Sequence, residues 1–486
     1  MIKEFSLPKT THFIDGRWIA SANGETFTNF SPHNNKPLCE ISAGGAEEIN
    51  LAVEAANKAL NGPWSKLTIK ERSAVVKKLG DLIKENLEEL ACLEAIDTGK
   101  PYLETSTGDI PRAILNMHHY SVLIESTPDK HWKNPDNSRY QTIREPIGVV
   151  GLITPWNLPL YLLTWKLAPA LVCGNTVVAK PAELTPLSAN ALCTLIQKAG
   201  IPDGVVNIVH GFGPNSAGQA LVEHPDVKAI SFTGETLTGQ AIMAKAAPLV
   251  KKLSFELGGK GASLVFKDAD LKLAAEGCTR AAYRNQGQVC LAGSRLIVHK
   301  SIANQLVDLI VGQTKEIKLG HPLNPSTTMG ALISIEHRNK VQSYVEYART
   351  IKGVEIVAGG KIPSQLSEGA YFEPTIINNV PQDSRLIQEE IFGPVMTVQT
   401  FEEFDEAMSY LNDTKYGLSC SIWSENKSTL DRATRNARTG MVWHNSWMLR
   451  NLNAAFGGMK LSGIGREGGE YSLDFYSELK TIGSPA

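Results

Sequence analysis

Residues 147–180 read IGVVGLITPWNLPLYLLTWKLAPALVCGNTVVAK, and this stretch decides the fold class. It begins with an uncharged apolar run, Ile147 to Ile153, continues through a loop into a segment typical of a buried helix, and ends with a second apolar run from Thr176. A strand, a helix and a strand in this order form a βαβ unit, whose parallel strands are apolar because helices cover both faces of the sheet. The stretch therefore predicts an α/β fold.

The same alternation of short apolar runs and helical segments continues towards the C-terminus. It predicts one parallel sheet with strands at Ile147 to Ile153, Thr176 to Ala179, Val205 to Val209, Ala229 to Phe232 and Lys252 to Glu256. A second α/β region follows, with strands predicted at Ala262 to Phe266, Leu296 to His299, Met396 to Thr400 and Ser419 to Trp423. On the N-terminal side, Asp15-Gly16 predicts a hairpin, and Thr68 with Glu71 forms a capping box before a helix.

A chain of 486 residues exceeds the size of one ordinary hydrophobic core, so two large domains are expected. The formal net charge of -2 gives no electrostatic reason to expect nucleic acid or an anionic membrane as a partner. Pro155, Asn157 and Pro159 interrupt the uncharged residues 146–165, which favours a buried strand and helix over a membrane span. The cysteines form no Cys-x-x-Cys pair and residues 1–11 lack an apolar signal-like segment, which indicates a reducing compartment and a cytoplasmic protein.

Cys290 ends the sequence NQGQVC and is the one cysteine in a polar, turn-like setting. A cysteine nucleophile needs surroundings that lower the pKa of its thiol or a base nearby, whereas a structural cysteine has apolar surroundings. Spacing alone leaves two interpretations of Cys290 open, a nucleophile and a partly buried free thiol. Cys173, Cys193 and Cys278 are expected to be free thiols of the second kind.

Glu256 ends a predicted strand and precedes Gly258-Gly259-Lys260. Open α/β sheets bind ligands in a crevice at the carboxyl ends of their strands, so Glu256 is a candidate general base. The alternative is a strand-end charge paired with Lys260. The Gly-Gly-Lys sequence is not a P-loop, because the upstream glycine and the Ser or Thr after the lysine are missing.

Two glycine-containing turns, Thr233 to Gly239 and Gly211 to Gly213, follow predicted strands. Backbone N–H groups at the start of a helix hold a pyrophosphate well. Neither turn has the glycine spacing of the usual dinucleotide fingerprint, so ordinary turns remain the alternative. No histidine pair has the spacing of zinc ligands, and we expect no metal site.

Seven short motifs occur in a single order along nearly the whole chain. They are PWN (155–157), KPAE (180–183), FTG (232–234), ELGGK (256–260), NQGQVC (285–290), EEIFGP (389–394) and FGG (456–458). Together they resemble the aldehyde dehydrogenase superfamily. The resemblance implies a Rossmann-like NAD-binding domain (residues 1–128 and 147–257), a second α/β catalytic domain (258–457) and a small β oligomerisation element (129–146 and 458–486).

Carried over position by position, the resemblance implies that Cys290 attacks the aldehyde carbon and passes through a thiohemiacetal and a thioester. The side-chain amide of Asn157 and the backbone N–H of Cys290 would hold the developing oxyanion. Glu256 would activate the hydrolytic water, which favours release of a free acid over transfer to coenzyme A.

The cofactor implied by the resemblance is NAD. Lys180 and Glu183 match positions at the adenosine ribose, where a carboxylate accepts hydrogen bonds from both hydroxyls and repels the 2′-phosphate of NADP. Glu390 and Phe392 match positions at the nicotinamide ribose. The other residues expected along the cofactor cleft are Pro155, Trp156, Gly213, Phe232, Thr233 and Gly234.

Glu235 departs from the pattern, since many relatives have serine after Phe-Thr-Gly. A carboxylate directed at a pyrophosphate would repel it. We therefore expect Glu235 to face solvent or to cap the following helix, with no direct role at the phosphates.

The substrate tunnel is expected to be largely apolar, with Leu158, Trp165 and Phe456 along it, and to contain two arginines, Arg112 and Arg450. The sequences around these residues resemble the branch of the superfamily that acts on 2-aminomuconate or 2-hydroxymuconate 6-semialdehyde. Such aldehydes carry a carboxylate at the far end, for which arginine is well suited. The alternative is that each arginine pairs with a neighbouring acid, Asp109 being the candidate for Arg112.

Two other functions remain open at this stage. The first is a dehydrogenase of aliphatic, retinoid-like or amino aldehydes. The second is a catalytically silent binding or structural member of the superfamily. The presence of Cys290, Glu256 and Asn157 argues against the silent member. The resemblance further implies a homodimer or homotetramer, built in part by an arm near residues 130–145.

Overall fold

Two large sheets of mostly parallel strands organise the chain, and helices cover their faces. The computed structural model describes residues 7–486. Its helices are α1 (Ala46–Leu60), α2 (Ile69–Glu85), α3 (Leu87–Thr98), α4 (Tyr102–Glu104), α5 (Ile110–Glu125), α6 (Pro159–Val172), α7 (Leu187–Ala199), α8 (Ala217–Glu223), α9 (Thr236–Ala246), α10 (Leu271–Tyr283), α11 (Ala303–Lys315), α12 (Ile335–Thr350), α13 (Arg385–Gln388), α14 (Phe404–Asn412), α15 (Lys427–Asn436) and α16 (Gly469–Phe475).

The strands are short, as expected for a parallel α/β protein. They are β1 (His12–Ile14), β2 (Arg17–Ile19), β3 (Thr26–Phe30), β4 (Pro37–Ser42), β5 (Lys130–Lys133), β6 (Arg139–Pro146), β7 (Val149–Ile153), β8 (Thr176–Lys180), β9 (Val206–Ile208), β10 (Val227–Thr233), β11 (Lys252–Glu256), β12 (Ala262–Val265), β13 (Arg295–His299), β14 (Glu355–Ala358), β15 (Thr375–Asn378), β16 (Val395–Phe401), β17 (Tyr416–Gly417), β18 (Ser419–Trp423), β19 (Met441–His444), β20 (Met459–Lys460), β21 (Gly463–Ile464) and β22 (Ser477–Ser484).

The first sheet has the order β2-β1-β9-β8-β7-β10-β11-β21. Its five central strands are parallel and are the five that the hydrophobic pattern predicts, with small shifts at their ends. Every residue of β7 and β8 is buried, because α6 and α7 cover one face and α1 and α8 the other. The predicted hairpin joins β1 to β2 through Asp15 and Gly16, both with positive φ.

The second sheet has the order β14-β15-β16-β13-β12-β18-β19. All its pairs are parallel except the pair of β14 with β15 at the edge. The predicted α/β class is therefore confirmed. The sequence pattern did not single out three strands of this sheet, the edge strands β14 and β19 and the inner strand β15.

Buried acids of α3 hold the first turns of two other helices. Glu94 accepts a hydrogen bond from the backbone N–H of Leu160 at 2.6 Å, in the first turn of α6. Asp97 accepts one from the N–H of Leu187 at 2.9 Å, in the first turn of α7. Carboxylates in these positions satisfy N–H groups that have no partner within their own helix.

A separate three-stranded sheet, in the order β22-β6-β5, contains the segment predicted to form the arm. The predicted boundary at residue 458 differs from the strand pairing. The strand β20 pairs with β17, β21 pairs with β11 of the first sheet, and only β22 joins the arm. The division into domains otherwise stays a prediction.

The uncharged stretch at residues 146–165 forms β7, a loop and the start of α6. Within residues 7–486, no helix is both long and apolar enough to cross a membrane. Residues 1–6, which belong to the predicted NAD-binding domain and to the segment used to predict the compartment, lie outside the described part of the chain.

Candidate active site

The predicted site residues gather at the carboxyl edge of the first sheet. In the strand register, Ile153 lies beside Lys180 on one side and Phe232 on the other, and Thr233 lies beside Glu256. Asn157 follows β7 in the adjoining loop. Motifs that are far apart in sequence meet because parallel strands end at one edge.

Cys290 lies near this edge, on a turn that follows α10 in the second α/β region. The turn contains three consecutive residues with positive φ: Asn285 (51°), Gln286 (56°) and Gly287 (70°). A Cβ atom at Gly287 would lie 2.2 Å from the carbonyl oxygen of Gly393, so a side chain there would displace backbone. The amide of Gln286 donates to the carbonyl of Ala331 at 2.9 Å. The hydrogen bond of Gln286 and the close packing of Gly287 against Gly393 therefore hold the turn in this conformation.

The backbone of Gly259 packs closely against that of Cys290, and Gly258 packs against Glu390. A Cβ at Gly259 would stand 2.2 Å from the carbonyl oxygen of Cys290, and one at Gly258 would stand 2.4 Å from a carboxylate oxygen of Glu390. Burial raises the pKa of the Cys290 thiol to about 12, and the nearby Glu390 and Glu256 add to this. The thiol is therefore protonated at neutral pH until a base or a positive charge acts on it.

Asn157 is held from three sides. Its amide nitrogen donates to the carbonyl of Gln288 at 2.8 Å, two residues before the cysteine. The backbone carbonyl oxygen of Asn157 accepts hydrogen bonds from Lys100 Nζ at 2.8 Å and from the side-chain amide of Asn285 at 3.1 Å. An amide nitrogen carries two hydrogens, so one remains for a ligand.

Glu256 is buried, and in the described part of the chain neither of its carboxyl oxygens has a hydrogen-bond partner. The alternative that it pairs with Lys260 is wrong, since the ammonium group of Lys260 also has no partner there. Burial raises the pKa of Glu256 well above its usual value, and the neighbouring Glu467 raises it further, whereas Lys166 opposes the shift. A carboxyl group of this kind is neutral at low pH and becomes a base only as the pH rises.

Glu467 and Lys166 form a buried ion pair beside Glu256, with 2.7 Å between Lys166 Nζ and Glu467 Oε1. The indole N–H of Trp165 donates to the other oxygen of Glu467. The sequence analysis missed Glu467, because its partners lie about three hundred residues away and no local pattern marks it.

The residues predicted to hold the cofactor lie at or near the carboxyl edge of the first sheet, where the cofactor cleft is expected. Lys180 Nζ donates to the carbonyls of Pro181 (2.8 Å) and Gly211 (3.0 Å) and lies 3.4 Å from Glu183. Glu390 accepts from the backbone N–H of Gly259 at 2.7 Å.

The Trp156 and Phe392 rings, both half-buried, meet edge to face with their centres 5.3 Å apart. Phe392 itself has a φ of 60°, and its carbonyl bonds to the ring of His337 at 2.7 Å. These contacts fix the aromatic side of the cleft.

The residues at this edge are compatible with a dinucleotide. Among residues 7–486, the buried hydroxyl of Thr233 has no hydrogen-bond partner, and a Cβ at Gly213 would meet only open space. The helix α9 begins here, and no side chain caps its first N–H groups. Glu235 is exposed at the position before α9, so the expectation that it faces solvent is confirmed, while helix capping by its side chain is not observed.

A cavity of about 290 Å³ opens beside this edge. Three of the five predicted substrate residues, Arg112, Leu158 and Arg450, line it. Trp165 and Phe456 are not among its lining residues, but their rings lie next to Arg450, whose guanidinium is 5.7 Å and 4.0 Å from their centres, and their place in the substrate tunnel stays a prediction. The lining also includes residues that the sequence analysis did not single out, among them Glu104, Tyr161, Arg284 and Met448.

Arg112 does not pair with Asp109, so this alternative is wrong as well. Asp109 instead binds Lys100, with 2.5 Å between Oδ2 and Nζ. The Nε and Nη2 atoms of Arg112 are buried and have no hydrogen-bond partner within residues 7–486, and the guanidinium lies 5.7 Å from the centre of the Tyr161 ring. Burial, and the positive charge of Arg450 nearby, lower the pKa of Arg112.

The fold and the site together are those of a two-sheet α/β protein with a buried cysteine and a buried carboxyl group close to the carboxyl edge of its first sheet. The chain matches the model of the aldehyde dehydrogenase family over residues 18–482. It belongs to the aldehyde dehydrogenase family, and the predicted class, an NAD-dependent aldehyde dehydrogenase, is confirmed.

Relatives are similar over nearly their full length. They include 2-hydroxymuconic semialdehyde dehydrogenase of Pseudomonas sp. (strain CF600), 45% identical over 97% of this chain and 98% of that protein. The 2-aminomuconic semialdehyde dehydrogenase of Bos taurus is 43% identical, covering 97% of each chain. Betaine aldehyde dehydrogenase of Bacillus subtilis (strain 168) is also 43% identical, over 97% of this chain and 96% of that protein.

Solved structures agree with this assignment. The NAD+ complex of aldehyde dehydrogenase from Bacillus cereus superposes with a TM-score of 0.95 at 39% identity, covering 98% of this chain and 96% of that one. Indole-3-acetaldehyde dehydrogenase in complex with NAD+ superposes with a TM-score of 0.96 at 39% identity, over 99% of this chain and 97% of that one.

Proposed function

We propose that the enzyme oxidises an aldehyde that carries a carboxylate at its far end, 2-hydroxymuconate or 2-aminomuconate 6-semialdehyde. One observation carries this proposal: two arginines in the cavity, Arg112 and Arg450, form no salt bridge with any acid of residues 7–486. Keeping a guanidinium partly desolvated without a counter-charge is unfavourable, and a bidentate carboxylate removes that cost. The names of the relatives from Pseudomonas sp. and Bos taurus agree with this substrate class.

In the proposed reaction the carboxylate anchors the far end of the substrate and directs its aldehyde towards the thiol. The sulfur of Cys290 attacks the carbonyl carbon, and its proton leaves to a base. The negative charge that develops on the carbonyl oxygen is held by the free amide hydrogen of Asn157 and by the backbone N–H of Cys290. The result is a tetrahedral thiohemiacetal on the cysteine.

Lys180 and Glu183 would hold the adenosine ribose of NAD, and Glu390 the nicotinamide ribose. When bound, the nicotinamide supplies the acceptor for the hydride that the thiohemiacetal loses. Trp156 and Phe392 would close the side of the cleft and exclude water from it.

Loss of the hydride leaves a thioester on Cys290, and Glu256 is the group suited to its hydrolysis. Because no hydrogen bond ties its carboxyl oxygens, Glu256 is available to accept a proton from water. The hydroxide then displaces the thiolate and releases the carboxylic acid.

A second candidate is an amino aldehyde, and two observations favour it. The carboxyl-bearing Glu104 lines the same cavity, and the relative from Bacillus subtilis is a betaine aldehyde dehydrogenase. A cationic substrate placed there would face three arginines, however, the third being Arg284. Repulsion by like charges therefore favours the anionic substrate.

The test compares Arg112→Ala and Arg450→Ala with wild type, using 2-hydroxymuconate 6-semialdehyde and hexanal. KM for the semialdehyde should rise by about tenfold or more in each variant, the loss expected for a charge-assisted hydrogen bond, and KM for hexanal should change little. Arg432→Ala is the control, since Arg432 stacks on Phe404 at 3.6 Å far from the cavity lining. Equal changes for both aldehydes, or a higher kcat/KM with betaine aldehyde, would refute the proposal.

We further propose that the arm sheet joins copies of this chain into a homodimer or homotetramer. The strands β5 and β22 are the two edges of this sheet, and both are exposed. Apolar side chains are exposed on it: Trp132 (51%), Tyr140 (40%), Leu479 (57%) and Ile482 (42%). Unpaired strand edges and exposed apolar side chains favour packing against a second copy of the chain. Sedimentation equilibrium of Trp132→Glu/Leu479→Glu tests this, and an unchanged oligomeric mass would contradict it.

A further inference from the structure

Lys100 is a buried ammonium group that the reaction described above does not use. It lies two residues after the end of α3, and its side chain has no exposed surface. Among residues 7–486, its Nζ atom makes two polar contacts, a 2.5 Å ion pair with Asp109 and a 2.8 Å hydrogen bond to the backbone carbonyl oxygen of Asn157. One charge therefore contacts both a residue of the cavity lining and the proposed oxyanion-binding residue.

The cavity end of this arrangement concerns which cation Asp109 binds. Asp109 and Arg112 are three residues apart at the start of α5, a spacing that brings side chains together on a helix, and both line the cavity. A carboxylate and a guanidinium so placed would normally pair. Arg112 nevertheless has two buried atoms without a hydrogen-bond partner in the part of the chain that the structure describes, and Asp109 is bound to Lys100.

The backbone before Asp109 supports this geometry. Residues Thr105–Asp109 form a π-helical turn between α4 and α5. Such turns break the regular register of a helix and occur often at functional sites. Here the wide turn ends on Asp109, at the point where its carboxylate meets Lys100 and not Arg112.

The other end concerns the loop of Asn157. The Asn157 carbonyl accepts from Lys100 and from the amide of Asn285, which also reaches the carbonyl of Gln288 at 3.2 Å. Removing Lys100 would leave this carbonyl one donor. The amide of Asn157 would then be oriented less well towards the reacting oxygen.

We propose that Lys100 is a positioning residue with two effects. It keeps Asp109 from neutralising Arg112, which leaves Arg112 available for an anionic substrate, and it orients Asn157. The first effect rests on the proposed function, in which Arg112 binds a carboxylate. The second effect is independent of the substrate's charge.

The test uses three variants, Lys100→Met, Asp109→Asn and the double variant, with two six-carbon aldehydes, 6-oxohexanoate and hexanal. In Lys100→Met, Asp109 loses its partner and turns to Arg112, so KM for 6-oxohexanoate should rise by about tenfold while KM for hexanal changes little. In the double variant residue 109 no longer carries a carboxylate that competes for Arg112. KM for 6-oxohexanoate should return to within about threefold of wild type.

The effect on Asn157 is measured by kcat. Both variants that lack Lys100 should lose kcat to a similar degree with both aldehydes, because neither supports the Asn157 carbonyl. In Asp109→Asn, Lys100 keeps its hydrogen bond to the backbone carbonyl of Asn157, so the loss of kcat should be smaller than in Lys100→Met, and the ratio of the two KM values should not rise. A purely structural role for Lys100 would lower kcat and stability without separating the KM values of the two aldehydes.

Arg112→Ala, measured alongside, separates the failures. If Arg112→Ala raises KM for 6-oxohexanoate selectively and Lys100→Met does not, the inference about Lys100 is overturned and the proposed function stands. If Arg112→Ala leaves the ratio of the two KM values unchanged, both are overturned. Thermal unfolding checks the fold of each variant, and Lys100→Gln, with the same expected rise in KM, replaces Lys100→Met if the latter does not fold.

Discussion

Replacing Asn157 by alanine should lower kcat strongly and lower the unfolding temperature only slightly. The amide nitrogen of Asn157 carries two hydrogens, and the carbonyl of Gln288 takes one of them at 2.8 Å. The second is the donor expected at the developing oxyanion. In other enzymes the loss of one such donor costs about 3 to 4 kcal/mol in the transition state, or about 10² to 10³ in kcat.

The bond to Gln288 contributes only about 1 kcal/mol to stability, so the unfolding temperature of Asn157→Ala should fall by a few degrees at most. Initial rates of NADH formation at saturating aldehyde give kcat, and thermal unfolding gives the second quantity. Asn207→Ala is the matched control, since Asn207 is also buried and donates to two carbonyls, those of Val177 and Gly204, outside the cavity lining. That control should lose stability and keep kcat. A kcat for Asn157→Ala within about threefold of wild type, with the fold intact, would refute the assignment.

Three more outcomes are expected. Cys290→Ala should form no NADH while remaining folded, and turnover at the wild-type rate would exclude the thiol as nucleophile. The wild-type kcat should rise as the pH rises through the raised pKa of Glu256, because only the ionised carboxylate accepts a proton. Glu256→Gln should lose most of the rate and this pH dependence. A pH profile identical in the two proteins would contradict this role. Glu235→Ser should change the Kd for NAD, measured by fluorescence titration, by less than about tenfold, since the Glu235 side chain is exposed.

The positions of the candidate site could be predicted because they follow from strand direction. Lys180, Phe232 and Glu256 each end or nearly end a parallel strand, so their approach to one another needs no knowledge of side-chain packing. The same reasoning placed Asn157 in the loop after β7. Cys290 required the motif resemblance, since its turn of three positive φ values has no clear propensity signal.

Pairings between charged side chains could not be predicted in this way. Asp109 has two cations within reach, and the nearer in sequence, Arg112, is the one that it does not bind. The choice depends on how deeply each group is buried, which only the packed structure determines. The two-residue strand β21 was missed for a similar reason, since its pairing with β11 leaves no periodic pattern in so short a segment.

The buried acids of α3 have a consequence for how amino-acid changes in this enzyme are interpreted. Glu94 and Asp97 lie 66 and 90 positions before the N–H groups that they hold. The first of these N–H groups belongs to the helix directly after Asn157. In a saturation screen for activity, Glu94 should therefore tolerate as little variation as residues that line the cavity, although it touches no ligand. A survey that ranks variants by their distance from Cys290 would therefore underestimate the effect of substitutions in α3.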